Sequence, residues 1–206
     1  MSRFSAWIRA ENSIKNLNSP LVVKPLSEEA SIGISQGSFV DDKEHLYDRI
    51  AFIHNSFRMH AIAEEYIAGR ELYVSILGNK QLKVLPVREM TFTNVPDEDP
   101  KMATYKAKWD KQYRKKWGIE NGFANNLPDS INEKIINLSK KAYRALNITG
   151  YGRLDLRLSS DNEIYVIEAN ANPALAPKED LAMSAAKAGI PYESLIRKII
   201  NLALKV

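Results

Sequence analysis

The segment GRLDLRLSSDNEIYVIEANANP, beginning at Gly152, gathers groups that could hold a cation. Asp161 and Asn162 are a turn signal between two runs of alternating residues. Counting back from a turn centred on that pair sets Asp155 against Glu168 and Arg153 against Asn170. Successive strand residues alternate faces, so these four share one face, where opposed residues lie close together. Two carboxylates that close repel unless a cation lies between them. Two carboxylates and an amide make an oxygen-only ligand set suited to Mg²⁺ or Mn²⁺. The guanidinium of Arg153 beside them could stabilise a developing anion. Leu154, Leu156 and Leu158 fill the opposite face. The alternative is a solvated hairpin whose charges point to water.

The elements that must carry this hairpin mix helices and hairpins without strict β-α-β alternation, which predicts an α+β fold of layered sheets and helices. Apolar spacing predicts a helix over Phe4–Leu17, ended by Pro20, then a short strand at Leu21–Val23. Residues 26–37 read as a loop. Asp41 or Asp42 is placed to cap a helix over Lys43–Phe57. Strands follow at Ala61–Tyr66, Glu71–Leu77 and Gln81–Arg88, the last two joined by a two-residue turn at Gly78-Asn79. From Thr91 to Asn126 the periodicity dissolves, the mark of a lid, a binding loop or disorder. A helix over Asp129–Leu146 precedes the cation-holding hairpin, and helices over Asp180–Ala188 and Tyr192–Leu204 end the chain.

With 206 residues, 45% hydrophobic and 26% charged, the chain can bury a sizeable core, which excludes a disordered tail, a collagen-like fibre and a coiled-coil rod. No apolar run is long enough to span a membrane, and the first residues lack the apolar core of a signal peptide. The absence of cysteine excludes a disulfide framework and thiolate chemistry, and is compatible with a reducing compartment. A net charge of +4 suits an anionic ligand. The basic run from Lys101 to Lys116, with Trp109 and Trp117, offers a nucleic-acid alternative. His45, His54 and His60 show no ligand spacing.

The hairpin GYGRLDLRLSSDNEIYVIEANANP resembles the metal-binding hairpin of the ATP-grasp superfamily, in its D-alanine–D-alanine ligase branch. MSAAKAGIPYESLIRKIINLAL is similar to that branch's final helices. PLVVKPLSEEASIGIS resembles the strand and flap that grip ATP phosphates, and AEEYIAGRELYVSILGN resembles the hinge that holds adenine and ribose. The likeness runs from about Pro20 to the C-terminus. It implies an ATP-grasp fold in which two α+β subdomains, 1–64 and 65–206, grip ATP between them, with the metal hairpin at 152–170. It implies that Lys24 contacts the α/β-phosphates and that the flap at 27–33, with Ser31, closes over them. Glu64 would serve the adenine amino group, with the backbone of Glu65, Tyr66 and Ile67 completing the adenine slot. Glu71 would hold the ribose hydroxyls, and Lys108 would reach toward the nucleotide. Asp155, Glu168 and Asn170 would hold Mg²⁺, and Arg153 would steady an acyl phosphate and a tetrahedral intermediate. The implied activity is a cytoplasmic, ATP-dependent carboxylate–amine ligase acting on small molecules, with neither nucleic acid nor membrane as partner.

Departures from the family pattern cluster on the acceptor side. One serine of the flap's pair is Ala30, and the tyrosine expected after the loop lysine is Trp109. After the metal asparagine the chain reads Ala171-Asn172-Pro173-Ala174, and Glu179 falls near the serine expected to grip an acceptor carboxylate. These changes imply an acceptor other than D-alanine. The family also has a complete domain before this region, so the chain resembles a C-terminal portion whose missing part, or an oligomer partner, would complete a substrate pocket. A nucleotide-binding fragment without catalysis, or another ATP-grasp phosphoryl-transfer chemistry, remains the alternative.

Overall fold

The computed structural model describes residues 17–204. The helix expected over Phe4–Leu17 falls, apart from Leu17, outside the described residues. The chain divides into two compact units, one running to Ile67 and including Phe92–Ile119, the other made of Ala68–Thr91 and the residues from Glu120 onward. The excursion 92–119 thus joins the first unit, although the sequence reading assigns it to the second.

In the first unit, β1 (Leu21–Pro25) pairs antiparallel with β2 (Phe39–Val40) on one side and β3 (Ala61–Glu65) on the other. Alternate residues Leu21 and Val23 join Val40 with Leu46 and Ile53 of α1 (Lys43–Phe57) in a small core. Asp42 caps α1, accepting from the His45 N–H at 2.8 Å. The stretch expected to lack structure holds α2 (Tyr105–Trp109) and α3 (Lys111–Trp117). Each is too short to show a helical period, yet each is capped: Thr104 accepts from Ala107 N–H at 3.2 Å, and Asp110 from Gln112 and Tyr113 N–H at 2.9 and 3.0 Å.

The second unit is built on a six-stranded sheet, in order β7 (Ile119–Phe123), β6 (Arg88–Phe92), β4 (Arg70–Leu77), β8 (Tyr151–Leu158), β9 (Ile164–Asn170), with β5 (Lys83–Val84) also paired to β4. Leu72, Val74 and Ile76 of β4 and Leu154, Leu156 and Leu158 of β8 face Ile131, Ile135 and Tyr143 of α4 (Asp129–Ala145). That four-residue spacing is one stripe of a helix. Leu77 and Leu85 pack with Leu181 and Ala185 of α5 (Asp180–Lys187) and Leu195 of α6 (Tyr192–Ala203).

Gly78-Asn79 does not form a two-residue turn. Leu77 pairs with Lys83, so the connection runs from 78 to 82, and the expected strand Gln81–Arg88 reduces to β5 followed by a separate β6. Both turn residues are engaged elsewhere. Gly78 N–H donates to Gly150 O at 2.8 Å, and the Asn79 side chain accepts from Gly150 N–H at 2.7 Å and donates to Leu202 O at 3.0 Å.

The β8–β9 register meets the expected pairs by a different route. The loop runs from 159 to 163, closed by Ser159 N–H to Glu163 O at 2.9 Å, and Leu158 pairs with Ile164. That is one residue out of the register counted from Asp161-Asn162. A bulge between the Asp155 and Leu156 pairs, with Ile167 as the extra residue, shifts it back. Asp155 therefore lies opposite Glu168, and Arg153 opposite Asn170.

Candidate functional site

One face of the second unit's sheet carries side chains that could do chemistry. Across β4 and β8, Glu71 lies opposite Arg157, Tyr73 opposite Asp155, and Ser75 opposite Arg153. These residues alternate with the leucines of the core, so the pattern that builds the apolar face also builds this one. Asp155 is buried, and Arg153 grips it with both arms: Nε to Oδ1 at 2.7 Å and a terminal nitrogen to Oδ2 at 2.9 Å. The Arg153 guanidinium stacks 4.9 Å from the Tyr73 ring centroid. Burial works against its charge, but Asp155, and behind it Asp180, outweigh burial and hold its pKa above the ordinary arginine value. Tyr73 hydroxyl donates to Glu71 Oε1 at 2.8 Å, and Arg157 stands 3.6 Å from Glu71 Oε2. Burial, then the Glu71 and Asp155 carboxylates, push the Tyr73 pKa well above 10.

A divalent cation fits this donor set. Glu168 is half-buried opposite Asp155. A carboxylate offers about four lone-pair positions, and Arg153 occupies two of those on Asp155. Asn170 Nδ2 is buried with no hydrogen-bond partner. The two ends of its amide are nearly isosteric, so its carbonyl end can supply a third oxygen. Ser75 Oγ is likewise buried and unpartnered. Thus the row Ser75, Arg153, Asn170 crosses three strands with an unsatisfied polar atom at either end.

The first unit holds a separate set. Val22 is opposite Glu64 and Lys24 opposite Ile62, so Lys24 and Glu64 are diagonal neighbours on one face. They form an ion pair at 2.6 Å. Glu65 turns elsewhere, its Oε1 accepting from Asn18 N–H at 2.7 Å and from the Asn18 side chain at 3.0 Å. Tyr66 N–H donates to Pro20 O at 2.9 Å, and the Tyr66 hydroxyl accepts from Lys101 N–H at 3.0 Å. Ile67, which follows, is half-buried. Ser31 is buried, its hydroxyl donating to Ala103 O at 2.7 Å, and Trp109 indole N–H donates to Ala30 O at 3.1 Å. These two bonds tie the flap to the residues around α2. Lys108, on α2, is half-buried.

Sequence reasoning passed over four residues of the second unit's polar face: Tyr73, Ser75, Arg88 and Arg157. Alternation alone could have found Tyr73, Ser75 and Arg157, since Tyr73 and Ser75 lie two and four residues after Glu71 and Arg157 lies two after Asp155. Asp180, at the start of an expected helix, carries no local sign of an ion-pair partner. In the structure Asp180 joins Arg88, Nε to Oδ1 at 2.8 Å, and Arg153 at 3.5 Å. Glu179 takes the N-cap position of α5 without a side-chain capping bond and is exposed. Elsewhere, Asp41, Asp42 and His45 come together on exposed positions, where Asp42 is the cap of α1.

A family profile described as D-ala D-ala ligase C-terminus matches residues 5–201. The chain belongs to this family. It is 30% identical over 204 residues to the uncharacterised protein y4sG of Sinorhizobium fredii, covering 97% of this chain and 56% of that protein. It is 31% identical over 196 residues to the D-alanine–D-alanine ligase of Desulfotalea psychrophila, covering 95% and 57%. The crystal structure of D-alanine–D-alanine ligase from Bacillus anthracis complexed with ATP superposes with a TM-score of 0.72 at 26% identity, over 94% of this chain and 55% of that one. The fold is therefore that of the ATP-grasp ligases. The chain spans a little over half the length of these relatives. Among the described residues, no helix is long and apolar enough to cross a membrane.

Proposed function

We propose that this chain is the nucleotide- and metal-binding part of an ATP-dependent carboxylate–amine ligase. The observation that carries the reading is the opposition of Asp155 to Glu168 and of Arg153 to Asn170 on one face of β8–β9. Similarity to D-alanine–D-alanine ligases, one of them solved with ATP, supports it. In the second unit Asp155, Glu168 and Asn170 hold Mg²⁺, and Glu71, fixed by Tyr73 and Arg157, accepts from the ribose hydroxyls. In the first unit Lys24 exchanges Glu64 for the α/β-phosphates, a task suited to a compact cation. The backbone of Glu65–Ile67 receives adenine, and Lys108 and the flap carrying Ser31 meet the phosphates. Bound magnesium offsets charge on the transferring phosphoryl group.

The reaction has two steps. A carboxylate oxygen attacks the γ-phosphorus and the bond to ADP breaks, leaving an acyl phosphate. An amine then attacks the acyl carbon, inorganic phosphate leaves with the bonding pair, and the amine loses a proton. Arg153 is the cation beside the anionic oxygens of both steps. The acceptor differs from D-alanine. Glu179 is exposed and makes no capping bond, and a free carboxylate there repels an acceptor's own carboxylate by roughly 1 kcal/mol in a wet site. An amine without a carboxylate, or one carrying a second positive charge, suits it better.

Calorimetry with ATP, with and without Mg²⁺, tests the binding half. Wild type is expected to bind only with the metal, and Glu71→Ala to bind at least tenfold more weakly. Equal affinity of the two proteins would count against the reading. Phosphate release with a panel of amines, on this chain and on any longer protein containing it, tests the chemistry. Binding without release in every case would leave a nucleotide-binding module, and turnover with D-alanine matching the best amine would restore the parent acceptor.

A further inference from the structure

Arg153 and a cation want the same two oxygens. In the structure Arg153 engages both oxygens of Asp155, and a divalent ion on that carboxylate is repelled by the guanidinium next to it. Water is a poor refuge for the displaced arginine, because its side chain is only 17% exposed. A buried guanidinium deprived of its carboxylate is strongly destabilising.

The remaining terminal nitrogen of Arg153 already points to a second carboxylate, Oδ2 of Asp180, at a slack 3.5 Å. Asp180 does not depend on Arg153 for its place. Its other oxygen accepts from Arg88 Nε at 2.8 Å, and Arg88 is itself fixed by a bond to Asn121 O at 3.0 Å and by the Phe123 ring 5.0 Å away. Asp180 is also the first residue of α5, where the helix dipole favours an anion. Arg88, Asp180, Arg153 and Asp155 thus alternate in sign along one connected chain of contacts.

We infer that Asp180 is a positioning residue that takes over Arg153 when a cation occupies Asp155. The inference rests on the metal reading given above. Arg153 loosens its hold on Asp155, shortens its contact with Asp180, and stays stacked on Tyr73. The guanidinium is then retained beside the reacting anions and no longer neutralises the metal's ligand. Asp180 touches neither metal nor substrate and acts only through Arg153.

The test follows the Arg153 terminal Nη–H signals, the ones that face Asp180 and Asp155, by ¹⁵N NMR at low temperature, assigned by their loss in Arg153→Lys, in wild type, Asp180→Asn and Asp180→Glu. Without Mg²⁺ all three should show protected signals, since Asp155 holds the guanidinium. With Mg²⁺ and ADP, wild type and Asp180→Glu should keep that protection. Asp180→Asn should exchange at least tenfold faster and bind Mg²⁺ about three- to tenfold more weakly by calorimetry, because Arg153 then competes harder for Asp155. A purely structural Asp180 would lower the melting temperature and move neither readout. If Asp180→Asn does not fold with Arg88 left unpaired, the double variant Arg88→Met, Asp180→Asn removes both charges together and carries the same expectation. Wild type that binds no Mg²⁺ overturns the metal reading and this inference with it. Wild type that binds it, beside an Asp180 variant with unchanged protection and affinity, overturns the inference alone.

Discussion

Each unit contains a cation–carboxylate pair in a proposed ligand-binding role, and the two pairs are built differently. Lys24 and Glu64 meet across neighbouring strands with side chains 21% and 37% exposed, held by one contact. Arg153 and Asp155 lie on one strand, 17% and 8% exposed, joined by two bonds and tied onward to Asp180 and Arg88. Lysine is a mobile point charge with three donors, whereas arginine presents a rigid fork. The first pair can open for a phosphate at little cost. The second cannot open without a substitute acceptor. The difference separates a ligand-exchange contact from a preorganised one.

The largest expected effect breaks the second pair. Simple repulsion between Asp155 and Glu168 would make either amide substitution harmless to folding. The structure predicts asymmetry instead. Asp155→Asn leaves a buried guanidinium short of its main partner and should cost about 3 kcal/mol of stability, the range for breaking a buried ion pair. Glu168→Gln, at a half-buried edge position, should cost less than about 1 kcal/mol. Both should weaken Mg²⁺ binding. Urea melts of the two variants, made without metal, compare them. Equal losses would mean that Asp155 and Glu168 play equivalent structural parts and would erase the contrast between the units.

A smaller effect appears only in alkali. Tyr73 lies in the Arg153–Asp155 neighbourhood, and its pKa stands well above 10 in the folded state. Above pH about 10 the unfolded chain gives up this proton while the folded chain keeps it. The unfolded state then binds fewer protons, so stability falls as pH rises, by about 1.4 kcal/mol per pH unit for each such proton. Below pH 10 the contribution is fully present. Tyr73→Phe should therefore be less steeply destabilised than wild type between pH 10 and 11. Parallel curves for Tyr73→Phe and wild type would remove Tyr73 from the titrating set.

The same contrast explains what could be read from the sequence. β8 and β9 are neighbours in the chain, so alternation alone put Arg153, Asp155, Glu168 and Asn170 on one face. The turn and the bulge at Ile167 were both invisible, and their one-residue shifts oppose each other. Long-range partners carried no such signal. Arg88 and Asp180 are 92 residues apart, and nothing local marks either as half of an ion pair. The helices at 105–117 were missed because five and seven residues are too few for a period. At Gly69 a φ of +137° and an added Cβ within 2.1 Å of Leu158 O admit only glycine.

The smallest effect sharpens the first pair. A half-exposed lysine–carboxylate contact couples by less than about 1 kcal/mol, because water screens it and two flexible side chains must be held still. A double-mutant cycle of Lys24→Ala and Glu64→Ala should give a coupling near 0.5 kcal/mol that shrinks as salt is raised from low ionic strength. Stability is thus nearly indifferent to the pair, and its consequence lies in binding. Lys24→Ala should weaken ATP binding at least tenfold, since the α/β-phosphates lose the compact cation proposed to hold them. Glu64→Ala, which frees Lys24 but removes a proposed adenine contact, should change affinity less. A salt-insensitive coupling above about 2 kcal/mol, with ATP binding unchanged in Lys24→Ala, would make this pair a structural clamp like that of Arg153. The distinction between a contact that exchanges and one that is held would then fail.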